Sequence, residues 1–150
     1  MTTSFVRYRL AAVTALAVLC VSWATAAEIG RIKISKGSVT VERLGKTLAG
    51  DVGVRLEPSD VLRTGPDGSV GVTMSDDSLL SAGPNSILSL DRYDFDPTTS
   101  QGRFDARLQQ GSLAVISGRI AKQAPDAMIL RTPSAILGVR GTEFVLSSGE

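Results

Sequence analysis

An all-β fold is what this 150-residue sequence predicts: a short β-solenoid or flattened β-roll of short strands, with a β-sandwich or barrel as the alternative. Three observations carry that expectation. Apolar and polar residues alternate, as where Ile32 and Ile34 sit among Arg31, Lys33 and Ser35, or Val39 and Val41 beside Thr40 and Glu42. A period of two turns one face of each strand to a core. The runs are rich in β-branched residues and are broken by glycine, proline, asparagine and aspartate. Finally, a turn-former, a serine and an apolar residue recur together five times. The copies are Gly37-Ser38-Val39, Gly68-Ser69-Val70, Asp77-Ser78-Leu79, Asn85-Ser86-Ile87 and Gly111-Ser112-Leu113. Glycine, aspartate and asparagine tolerate left-handed φ, and the serine can bond the local backbone as the next strand begins. Spacings of 31, 9, 8 and 26 are no strict repeat. The two close intervals suit short strands that fold back or stack as rungs.

Residues 1–26 read as a helical signal peptide. Arg7 and Arg9 precede the apolar run Leu10–Trp23, and Ala24-Thr25-Ala26 supplies the small-residue cleavage pattern. Cleavage is expected between Ala26 and Ala27, leaving no membrane span and placing residues 27–150 in a periplasm. Cys20 lacks the small preceding residue that lipidation needs, and no adjacent arginine pair marks twin-arginine export. Processing would leave 14 basic and 15 acidic residues, which steers the domain toward neither nucleic acid nor an anionic membrane. The single cysteine would leave with the signal, so no disulfide is expected. The remainder is long enough for one domain and too short for two.

Lys36-Gly37-Ser38 is expected to be a hairpin turn or a corner, and Leu44–Asp51 a loop. The segment Gly53–Gly65 follows, with Asp60, Val61, Leu62 and Thr64-Gly65 at its end. After it come alternating runs around Val70, Val72 and Met74 and around Leu88 and Leu90. Asp91–Arg107 is the most polar stretch, turning at Pro97–Gly102. Tyr93 and Phe95 on one arm and Phe104 on the other are expected to lie back on the domain. Gly118–Asp126 reads as a loop or a single helical turn.

Catalysis finds little to work with. Histidine is absent, which removes the commonest general base, imidazole-based triads and the usual zinc sites. Asp76-Asp77 reads as a solvated turn rather than a glycosidase pair. Asp91, Asp94 and Asp96 lack the spacing of a calcium loop. The expectation is no enzyme, no cofactor and no metal.

The last long run, Thr132-Pro133-Ser134-Ala135-Ile136-Leu137-Gly138-Val139-Arg140-Gly141-Thr142-Glu143-Phe144-Val145-Leu146, reads as two largely buried extended segments joined by a glycine bend. Pro133 keeps Thr132 extended, while Gly138 and Gly141 mark unusual φ or close approach. Arg140, alone in this apolar run, is expected to be a buried strut, since buried charge persists only when paired.

The run resembles the closing signature of the FecR domain, the periplasmic part of iron-dicitrate-type sigma regulators, with Thr132, Pro133, Gly138, Val139, Arg140, Gly141, Thr142 and Phe144 filling its positions. Gly53–Gly65 is similar to the family's second motif, with Ser59 where glycine is usual. That substitution implies ordinary φ at Ser59. The resemblance, loose from about Gly37 onward, implies the fold and an interaction role in the cell envelope. A signal peptide in place of a cytoplasmic segment implies no direct sigma-factor contact. The expected partner is an envelope protein of unspecified identity, with signal transduction as the setting the resemblance implies; the alternative is a structural or glycan-associated envelope protein. The last strand offers its edge for pairing, with a partner strand or a second copy of the chain.

Overall fold

Four long strands, each bent once near its middle, form the body of the domain. A computed structural model describes residues 27–139 and 143–149. The first long strand is β1 (Gly30–Lys36) continued by β2 (Val39–Arg43). An excursion follows with β3 (Lys46–Ala49), paired to β2, and β4 (Arg55–Leu56), paired to β1. The second long strand is β5 (Val61–Thr64) with β6 (Ser69–Met74), and the third is β7 (Leu79–Ala82) with β8 (Ile87–Phe95). The fourth is the single strand β9 (Gly102–Ile116). A short helix α1 (Arg119–Gln123) and a 3₁₀ turn (Pro125–Ala127) then lead to β10 (Met128–Arg131), β11 (Ile136–Gly138) and β12 (Glu143–Ser148).

Neighbours pair antiparallel throughout, except that β10 runs parallel to the first half of β9. The result is one curled sheet, a half-barrel. Half A runs β4-β1-β6-β7, the second half of β9, then β12; half B runs β3-β2-β5-β8, the first half of β9, then β10 and β11. Registered rows face inward from each half. Ile32, Val72, Leu80, Val115 and Phe144 cross half A, and Val41, Leu62, Leu88 and Leu108 cross half B. All but Phe144 are at most 2% exposed, so the two rows close on each other as one core. The all-β expectation holds; the sheet is a curled antiparallel half-barrel, and among the described residues its strands do not stack as solenoid rungs.

The recurrent serine triplets mark where the sheet bends. Four of the five copies lie at the corners between halves A and B, and the fifth, Asp77-Ser78-Leu79, closes the β6–β7 hairpin. Left-handed φ occurs at Gly37 (+62°), Asp77 (+68°), Asn85 (+52°) and Gly111 (+92°); Gly68 alone does without it. The corners are bonded to one another. Gly65 N–H donates to the Ser38 carbonyl at 2.9 Å, and Asn85 N–H to the Gly65 carbonyl at 3.0 Å. Thr64 Oγ1 accepts from Ser86 N–H (2.8 Å) and donates to the Gly83 carbonyl (2.6 Å). Ser86 Oγ accepts from Ser112 N–H at 3.0 Å and lies 3.2 Å from the Ser112 carbonyl. A chain that folds its own sheet breaks the ladder at each corner. The hydroxyls replace the lost backbone partners.

Several local expectations need correction. Residues 44–51 are not all loop: β3 lies within them, because Lys46–Ala49 finds backbone partners along β2. Ser59 has φ +71°, not ordinary φ, so the position is left-handed without glycine's freedom. Asp76 is fully buried rather than solvated, whereas Asp77 is largely exposed, as expected of a turn acid. The β8–β9 hairpin behaves as expected: Tyr93 and Phe104 are in register and meet edge to face, 5.3 Å between centroids.

Candidate functional site

The closing signature forms a hairpin and part of an edge strand. Thr132 and Pro133 open the β10–β11 turn, where Thr132 Oγ1 accepts from Ala135 N–H at 3.1 Å and Thr132 N–H donates to the Ala135 carbonyl at 2.8 Å. Val139 is buried and donates its N–H to the Met128 carbonyl at 3.1 Å. Phe144 is half-buried against the core from β12. Two expectations fail here. Among the described residues a Cβ on Gly138 would meet nothing within 4 Å, and its φ is not left-handed, so neither close approach to them nor special φ explains that glycine. The run is also less buried than its composition suggested, since Ile136 is 70% and Val145 71% exposed. Arg140, Gly141 and Thr142 lie outside the described residues, as does Ala26 of the cleavage site; Ala27 is exposed just before β1.

Two buried carboxylates serve as internal acceptors. Asp60 takes Arg43 Nε at 2.8 Å and Nη2 at 2.6 Å, a bidentate pair, and Glu57 N–H at 2.9 Å. Arg43 also reaches Glu57 Oε1 and the Arg55 carbonyl, both at 2.8 Å, so one guanidinium ties β2 to the β4–β5 connection. The carboxylate of Asp60 beside it raises the affinity of Arg43 for its proton, against the opposing effect of burial. Asp76 accepts from Ser78 Oγ (2.8 Å), Tyr93 Oη (3.1 Å), Ser78 N–H and Ile120 N–H (both 3.2 Å). Burial, then the neighbouring Asp76 charge, pushes the Tyr93 hydroxyl far above the usual tyrosine range. Both acids have their lone pairs occupied by the fold, an arrangement that suits a strut and leaves little room for a substrate. Asp91 pairs with Arg107, Asp94 with Arg92, and Asp96 caps the hairpin turn through Thr98 N–H. No metal-holding group of acids occurs among the described residues.

The outer faces of the two halves differ sharply in chemistry. On half B, arginines stand paired: Arg92 with Asp94 (2.8 Å), Arg103 with Asp105 (3.0 Å) and Arg107 with Asp91 (3.2 Å). Arg63 meets Glu42 at 2.6 Å as a charge contact without hydrogen-bond alignment. On half A, Ile34, Gly71, Ser81, Ala114 and Val145 form one registered outward row, flanked by Leu79 and Ile116. The small central residues leave a shallow groove of about 230 Å³, lined by the exposed aliphatics Ile34, Leu79 and Ile116 together with Lys33, Thr73 and Glu143. β12 borders this face and pairs with β9 on one side only; no strand lies along its other side among the described residues. Apolar patches that a monomer leaves in water mark interaction surfaces more often than they mark accidents. Sequence reading missed this face. Its trace was present in the broken alternation at Leu79-Leu80, Val115-Ile116 and Phe144-Val145-Leu146, where both faces of a strand are apolar.

Comparison with known proteins agrees with the motifs. The family model described as FecR protein matches residues 60–150, from the Arg43-bound Asp60 to the end of the chain. No curated protein and no solved structure matches. The sheet itself starts earlier than the match, because β1 and β2 pair with β6 and β5. With well over half of its length matched, the chain belongs to the FecR family, whose domains are regulatory, non-enzymatic modules of signal transduction.

Proposed function

We propose that this protein is a non-enzymatic periplasmic FecR-domain module that binds an envelope protein through the outer face of half A and the edge of β12. The observation that carries the reading is the set of exposed aliphatics Ile34, Leu79, Ile116 and Val145, spread over small residues on one face that ends at an edge strand. A partner strand laid along β12 would satisfy backbone groups and cover Val145 together. FecR domains are typically periplasmic, and no helix among the described residues is long and apolar enough to cross a membrane. In this reading residues 1–26 direct export and are cut between Ala26 and Ala27, and residues 27–150 do the binding. The test is affinity capture from envelope extracts beside sedimentation with purified cell wall. A protein recovered in stoichiometric amount, and lost in Val145→Asp, is the expected result. Sedimentation with cell wall and no captured protein would make the domain a glycan-associated scaffold instead.

A further inference from the structure

The outer face of half B carries a charge the fold does not neutralise. Of the five arginines there, Arg63, Arg92, Arg103 and Arg107 each have a carboxylate within 3.2 Å. Arg131 has none among the described residues, and it stands in direct register with Arg107 on the neighbouring parallel strand. Like charges placed side by side on one face of a sheet repel. The carboxylate of Asp91 is taken by Arg107, at 3.2 Å. Arg107 and Arg131 line an open cleft of about 510 Å³ with Gln109, Thr132 and Ser134, roofed by the hairpin turn of the closing signature. Arginine's planar fork suits an oxyanion held through two hydrogen bonds, and Gln109 and Ser134 add neutral polar groups beside it. Through Gln109, Pro133 and Ser134 the cleft continues into a second one of about 400 Å³, which reaches Ser147, Ser148 and Gly149 at the end of β12. An extended chain lying beside β12 could therefore pass directly to the arginines.

We infer that the Arg107–Arg131 cleft is a carboxylate-binding site and that the segment it takes is an acidic, extended peptide of the protein partner. The inference rests on the reading of the domain as a protein-binding module and adds the chemistry of what is bound. Pro133 and Ile136 line the same cleft, so apolar residues next to the acid gain contact as well.

Titration of the ¹⁵N-labelled exported protein tests it, following the arginine Nε–H resonances. The probes are an acetylated, amidated hexapeptide with one glutamate among valines, its glutamine twin, and inorganic phosphate. The glutamate peptide should shift Arg107 and Arg131 saturably, and the twin should not. Arg131→Gln should weaken the peptide at least tenfold, and Arg63→Gln should leave it unchanged. Equal response to the twin, or full binding by Arg131→Gln, overturns the site. Tighter binding of phosphate than of the glutamate peptide overturns the peptide assignment. Partner capture separates this inference from the reading beneath it. An Arg131→Gln protein that loses the peptide yet still captures its envelope partner contradicts the inference and leaves the module reading standing. A wild-type protein that binds the glutamate peptide but captures no protein upholds the site and sinks the module reading.

Discussion

Ser59 is the residue whose backbone disagrees most plainly with its side chain. It is exposed, has φ +71°, and donates its N–H to the Leu90 carbonyl at 2.8 Å, so the turn needs the conformation and makes no visible use of the hydroxyl. A left-handed non-glycine residue costs about 1–2 kcal/mol, and glycine returns about 0.5–1 kcal/mol of that in chain entropy. Ser59→Gly should therefore stabilise the domain by about 0.5–1 kcal/mol in chemical denaturation. Tyr93 gives a spectroscopic prediction. Its neutral form is favoured by burial first and by Asp76 second, so its folded pKa is raised. Stability from this group is complete below about pH 10, where free tyrosine ionises, and is lost as pH rises beyond it. A chain beginning at Ala27 holds Tyr93 as its sole tyrosine, so phenolate absorbance should appear only with unfolding. A titration near pH 10 with the fold intact would contradict this placement. For Arg140 the strut remains a proposal. Arg140→Ala should then cost about 3 kcal/mol, whereas a stable variant that has lost its partner would make Arg140 a contact residue.

At the scale of elements, the corners hold the sheet in its folded form. Ser86→Ala removes the acceptor of Ser112 N–H inside a buried corner and should cost about 2 kcal/mol, from the desolvated donor left behind. Gly111→Ala should cost more, since φ is +92° and an added Cβ would meet Ser86 Cα at 2.5 Å. Equilibrium denaturation of both variants checks the order. These corners were largely legible in the sequence because a turn-former followed by serine is written in adjacent residues, left-handed at Gly37, Asn85 and Gly111 though not at Gly68. The sheet order was not legible, since β1 finds β6 and β7 finds β9 across gaps that no local pattern encodes. Residues 46–49 show the same limit: four residues between two glycines become a strand because β2 offers them backbone partners. The Arg43–Asp60 pair also escaped notice, being an ordinary arginine and an ordinary acid until the fold brings them together.

For the whole molecule, the division of labour between the two outer faces decides the functional reading. Half B meets water with ion pairs, and half A meets it with aliphatic side chains beside an edge strand. Composition averages over faces and so hid the asymmetry. The central claim is that a protein docks on half A and β12, and site-specific photo-cross-linking in cells tests it most directly. A benzophenone amino acid would replace Val145 in one variant and Arg63, on the opposite face, in another. The account predicts a discrete protein adduct from position 145 and none from position 63. Adducts of equal yield from both positions, or an adduct from position 63 alone, would contradict it.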